Sequence, residues 1–146
     1  MTPTSVLMKW RAILAVLALS GTAGCGEAPI YRSAPMAADA SALVDASGTI
    51  VKWICAKGER HRLVGDANGN AQIPAGARVT VGAYYNQDRL RCLAAASFIP
   101  QAGQRYRIDL QIAAERCKPA IYIDDPGAVI GVRLAPGVQP ARSCDL

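Results

Sequence analysis

The distribution of apolar residues divides the chain in two. Residues 12–19 (AILAVLAL) form one unbroken apolar run, and no later segment matches it. From Gly48 onward apolar and polar positions alternate with period 2, the signature of strands that bury one face. In residues 50–55, Val51, Trp53 and Cys55 share a face. In residues 77–85, Val79, Val81, Ala83 and Tyr85 fall on one side, which leaves Tyr84 on the other. Residues 90–99 place Leu90, Cys92, Ala94, Ala96 and Phe98 together, although Ala94-Ala95-Ala96 gives that strand little bulk and requires a neighbour to fill the space. The clearest alternation is Arg105-Tyr106-Arg107-Ile108-Asp109-Leu110-Gln111-Ile112, one wet face and one buried face.

Residues 118–123 and 128–134 predict two further strands, and 42–44 a short one. Turn-rich segments separate them: Gly65 to Asn70, Asn86-Gln87-Asp88, Pro100 to Gly103, and Asp124-Asp125-Pro126-Gly127. About six or seven short strands without an amphipathic helix predict an all-β domain, a small antiparallel sandwich over residues 48–146. Two segments echo each other. Ile73-Pro74-Ala75-Gly76-Ala77-Arg78-Val79 and residues 99–106 share the order apolar, Pro, turn, Gly, then an arginine entering a strand.

The N-terminal run reads differently. Lys9 and Arg11 precede it, and Ser20-Gly21-Thr22-Ala23-Gly24 follow it up to Cys25. A basic stretch, a short apolar core and a small-residue zone make an export signal, well short of the roughly 18–20 residues of a permanent span. Residues 26–40, rich in Ala, Ser, Pro and Gly, predict a tether of roughly 20–25 Å, so that residues 25–47 link the signal to the domain.

The cysteines change the picture most. There are five, Cys25, Cys55, Cys92, Cys117 and Cys144, and an odd count in an exported chain asks for an explanation. Thr22-Ala23-Gly24-Cys25 resembles the bacterial lipobox, with Thr22 departing from its usual leucine. The resemblance implies cleavage before Cys25, acyl chains on that residue and a membrane anchor. Gly26, where an aspartate retains such proteins in the inner membrane, implies the outer membrane with the domain facing the periplasm. Four cysteines remain, with three possible connectivities; Cys92–Cys117 and Cys55–Cys144 are the preferred pairs. The segment from Phe98-Ile99-Pro100 to Gly103-Gln104-Arg105-Tyr106 resembles a hairpin of small periplasmic lipoproteins with immunoglobulin- or transthyretin-like domains, a likeness that assigns no activity.

Charge and candidate chemistry add less. The chain carries +5, and loss of Lys9 and Arg11 leaves 14 basic against 11 acidic residues, about +3. The arginines are dispersed, with Arg89/Arg91 and Arg105/Arg107 at strand spacing; the export signal argues against nucleic acid as a partner. Asp66-x-Asn68-x-Asn70 begins like a calcium loop, but Ala71 and Ala77 occupy the positions of its glycine and glutamate, so a turn is expected. Asp124-Asp125 reads as a turn rather than a carboxylate pair, and His61 as an exposed side chain with no nucleophile beside it. Neither a nucleophile elbow nor a phosphate loop is present. No catalytic residue, cofactor or metal site is therefore expected. Tyr84, Asn86 and Gln87 are the expected contact surface, since exposed tyrosines beside amides favour recognition. The expectation is a membrane-anchored, non-enzymatic binding or scaffolding module with an envelope protein or glycan as partner. The alternative is an inhibitor of a lysozyme or protease, presenting the loop of residues 65–70 or 86–89.

Overall fold

In a computed structural model, which describes residues 26–113, 116–142 and 144, the chain forms two five-stranded sheets packed face to face. The strands are β1 (Ser41–Asp45), β2 (Val51–Ala56), β3 (Glu59–Arg62), β4 (Asn70–Pro74), β5 (Val79–Gln87), β6 (Leu90–Phe98), β7 (Arg105–Ala113), β8 (Arg116–Asp124), β9 (Val132–Leu134) and β10 (Gln139–Ala141). The back sheet has the order β4-β1-β7-β8-β9 and the front sheet β10-β6-β5-β2-β3. The all-β sandwich is thus present, with three to four more strands than the alternation alone picks out. The extra ones, β3, β4 and β10, are four, five and three residues long, too short to display a period.

Three expectations need correction. The sandwich starts before residue 48, because β1 pairs antiparallel with β4 and parallel with β7; the arrangement is therefore not purely antiparallel. The strand expected over residues 128–134 begins only at Val132, since the Asp125 and Gly131 backbones close a loop, Asp125 N donating to Gly131 O at 2.9 Å. The segment joining Phe98 to Tyr106 is not a hairpin within one sheet but the crossing from β6 in the front sheet to β7 in the back sheet. There the two rings pack at 4.9 Å between centroids, and the Tyr106 hydroxyl accepts from Gln101 N at 2.9 Å, the arrangement of a tyrosine corner. Its sequence echo, residues 73–79, is the crossing in the other direction, and the two meet through Gly76 N donating to Pro100 O at 2.8 Å.

Between the sheets lie Val44, Ile54, Ile73, Val81, Phe98, Tyr106, Ile108, Ile121 and Ile123, each at most 2% exposed. Of the buried stripe expected on β7, Tyr106 and Ile108 are buried, Leu110 is half-buried and Ile112 is exposed as the strand leaves the sandwich. Cys92 of β6 is bonded to Cys117 of β8, joining the two sheets. Cys55 of β2 is bonded to Cys144, 89 residues away.

Candidate functional site

The largest apolar side chain among the described residues, Trp53, is not between the sheets. Its neighbour Ile54 faces the interior, so alternation turns Trp53 onto the outer face of the front sheet. There it belongs to a separate small cluster with Ala95 and Cys144, flanked by Cys55 and Ala141. The register explains how an indole is seated on a sheet: Trp53, Gly82 and Ala95 are directly opposite one another on β2, β5 and β6, and Ala141 of β10 continues the row. A Cβ at Gly82 would stand 2.2 Å from the indole. Glycine in a strand interior marks such a close approach, and the small residues at 94–96 leave the rest of the space.

The next row on the same face is Val51, Tyr84 and Leu93, again direct cross-strand partners. These three are 42%, 36% and 52% exposed. Tyr84 and Leu93, with Trp53, Ala95 and Ala141 of the first row, line an open groove of about 1290 Å³ whose rim carries Arg60, Arg142 and Lys118 against one acidic residue, Glu59. The Arg60 guanidinium lies 5.8 Å from the centre of the indole ring. The indole nitrogen Nε1 is buried and has no hydrogen-bond partner among the described residues.

Gly26, Ala28 and Pro29 line the same groove. They belong to the segment expected to be a free tether, which is partly docked instead. Pro29 O accepts from Arg62 N at 2.7 Å and Tyr31 N donates to Arg62 O at 2.8 Å, so that Ile30 forms a parallel bridge to the edge strand β3. Glu27 forms an ion pair with Arg62. Cys25 and the signal segment 1–24 lie outside the described residues.

The expected contact residues are divided. Tyr84 is in the groove wall, whereas Gln87 lies on the opposite side of β5 and accepts a hydrogen bond from the Tyr85 hydroxyl at 2.7 Å. Asn86 is exposed and does not line the groove. Leu93, Arg60, Arg142 and Lys118 escape a reading by single strands. Their signal is Gly82, an isolated glycine inside an alternating run.

The other candidates resolve into local structure. Asp66 accepts at Oδ1 from the backbones of Asn68 and Asn70, at 2.8 and 3.0 Å, as a turn. His61 is half-buried rather than exposed, edge-on to Tyr31 at 6.4 Å. Asp125 caps the backbone of Gly127. Asp124 receives Arg105 and Arg107, each at 2.8 Å, and Arg105 also reaches Asp45 at 2.9 Å. The Arg105/Arg107 pair is therefore engaged rather than displayed. Burial pushes the Asp124 carboxyl up, but the hydrogen bonds and charges of the two arginines outweigh it and hold it below the usual carboxylate range. At Asp45, burial likewise raises the pKa, and the bonds from Ser47 with the charges of Arg105 and Lys52 bring it below normal. Lys52 is 8% exposed with its ammonium bonded to Ser47 O, and burial lowers its pKa. Among the described residues no three metal-ligating side chains cluster.

The two disulfides point to an oxidising, extracytoplasmic location. No protein-family model, curated protein or solved structure matches the chain.

Proposed function

We propose that the protein is a membrane-anchored, non-enzymatic binding module of the cell envelope, held by acyl chains on Cys25 at the outer membrane with its domain on the periplasmic side. The observation that carries this reading is the front face itself. It is a concave surface with an apolar floor, exposed Tyr84 and Leu93, and a basic rim. Chemistry needs converging polar groups, whereas this groove offers contact area and positive charge. The polar side chains of the back sheet satisfy one another instead.

The experiment is isolation of membranes followed by mass analysis of the mature N-terminus and detergent co-purification. An acylated Cys25 and a membrane component, phospholipid or protein, that is retained by the native protein but lost with Leu93→Asp are expected. An unmodified N-terminus at a different residue, or retention unaffected by Leu93→Asp, refutes the reading.

A second reading has its own observation. The loop closed between Asp125 and Gly131 presents Val129 fully exposed and Ile130 77% exposed. A short loop braced by its own backbone bonds suits insertion into a cleft, as in an inhibitor of a lysozyme or protease. It differs from the two loops expected from the sequence. Inhibition of such a hydrolase at micromolar concentration, lost with Ile130→Asp, supports this reading, and no inhibition removes it.

A further inference from the structure

We infer that the partner of the front face is the anionic phospholipid surface to which the chain is itself anchored, so that the domain lies on the bilayer rather than riding above it. The inference rests on acylation of Cys25 as proposed above. Little chain separates the anchor from the first fixed backbone. Cys25 directly precedes Gly26 in sequence, and Pro29 is bonded to the edge strand β3. Four peptide steps cover at most about 14 Å. Two of the residues on that path, Gly26 and Ala28, line the groove, and the third, Glu27, is paired with Arg62. An acyl chain starting at Cys25 thus enters the bilayer within one short leash of the groove mouth. The face that contains the groove is then the one turned towards the lipid.

The chemistry of that face fits the position. Val51, Tyr84 and Leu93 make a single exposed apolar row, and Arg60, Arg142 and Lys118 stand around it. An apolar strip bordered by Lys and Arg settles to the level where headgroups meet acyl chains, and each basic residue near an anionic surface adds attraction that salt weakens. Tyrosine suits that depth, with its ring in apolar surroundings and its hydroxyl in water. The acyl chains hold the protein on the bilayer, and the basic residues of the folded face orient the domain against it.

Trp53 provides a native reporter, since Trp10 lies ahead of the cleavage point and the chain has two tryptophans. The test reconstitutes the full mature, acylated protein in phosphatidylcholine vesicles with or without phosphatidylglycerol, and measures quenching by phospholipids brominated just below the headgroup. Two further reporters in a Trp53→Phe background compare the faces: Leu93→Trp on the front and Gln111→Trp on the exposed outer side of β7. Quenching at Trp53 and Leu93→Trp of about two-fold or more in anionic vesicles, with little at Gln111→Trp, is the expected result. Arg60→Glu with Arg142→Glu lowers it towards the level of neutral vesicles. Equal quenching on both faces means a freely tumbling domain and overturns the inference. Absent quenching at Trp53 and Leu93→Trp, in protein that floats with the vesicles, assigns the face to a protein or glycan and overturns it too. Protein that fails to float and lacks acylation overturns the anchor as well, which separates the two failures.

Discussion

The outer faces of the two sheets are built from the same alternation and end in opposite states. On the back sheet, Arg105 and Arg107 of β7 stand beside Asp124 of β8 and Asp45 of β1, and Gln111 donates to the Tyr122 hydroxyl at 3.2 Å. Arg105, Arg107, Asp45, Asp124, Gln111 and Tyr122 thus all have partners on an adjacent strand. On the front sheet the cross-strand rows are Trp53–Gly82–Ala95 and Val51–Tyr84–Leu93, with positive charge around them. A saturated polar face needs nothing from outside. An apolar face left open to solvent on a domain this small is where an external surface gains most. The difference comes from cross-strand neighbours, since single strands of both sheets show similar exposed polar positions.

Several changes should break or sharpen this contrast. The largest effect is expected from Cys55→Ala with Cys144→Ala. It releases a loop of 89 residues and frees the C-terminal segment from Trp53; unfolding by urea should show a loss of about 4–5 kcal/mol, against about 3–4 for the 25-residue loop of Cys92–Cys117. Gly82→Ala comes next. Its Cβ meets the indole and the Ala94 carbonyl, so the front face alone must rearrange, at a cost of about 1–3 kcal/mol in the same measurement.

Asp124→Asn tests the back face and should cost about 1 kcal/mol, a value discounted for partial exposure. Because the folded pKa values of Asp124 and Asp45 lie below their ordinary values, their stabilisation is fully present above the usual carboxylate pKa. It is lost as pH falls through the depressed folded values. Stability measured between neutral and strongly acid pH should therefore decline less steeply in Asp124→Asn, while Gly82→Ala keeps the native slope. The smallest effect on folding belongs to Leu93→Asp, within about 0.5 kcal/mol as an exposed substitution. If it unfolds the domain instead, the front face is core and not a contact surface.

The sandwich was legible because burial on one side leaves period 2 in long strands such as β5, β6 and β7. Three of the short strands were not, since three to five residues carry too few repeats and β3, β4 and β10 are placed by pairing rather than by pattern. Alternation also separated Tyr84 from Tyr85 without saying which residues stand beside Tyr84. That depends on register, which sets Val51 and Leu93 against it. Residues 26–40 read as a tether because composition cannot reveal a two-bond bridge to a strand edge. The carboxylate of Asp124 looked like part of a turn, and only its neighbour strand shows that it answers two arginines.

One corner of the sandwich has a consequence for how the chain must be handled before it reaches its destination. β10 covers β6 only at residues 95–97, and β9 covers β8 only at residues 122–124. The outer edges of residues 90–94 and 116–120 therefore lack a ladder partner among the described strands, and the Cys92–Cys117 bond closes them together. Bare strand edges recruit other chains, and a proline or a lysine on the edge discourages it; Pro119 offers no amide and Lys118 adds charge. In a reducing cytosol, Pro119 and the charges of Arg91, Arg116 and Lys118 would be left to guard these edges without the bond. Timely export, with folding completed where thiols oxidise, is thus a safeguard against aggregation written into this corner.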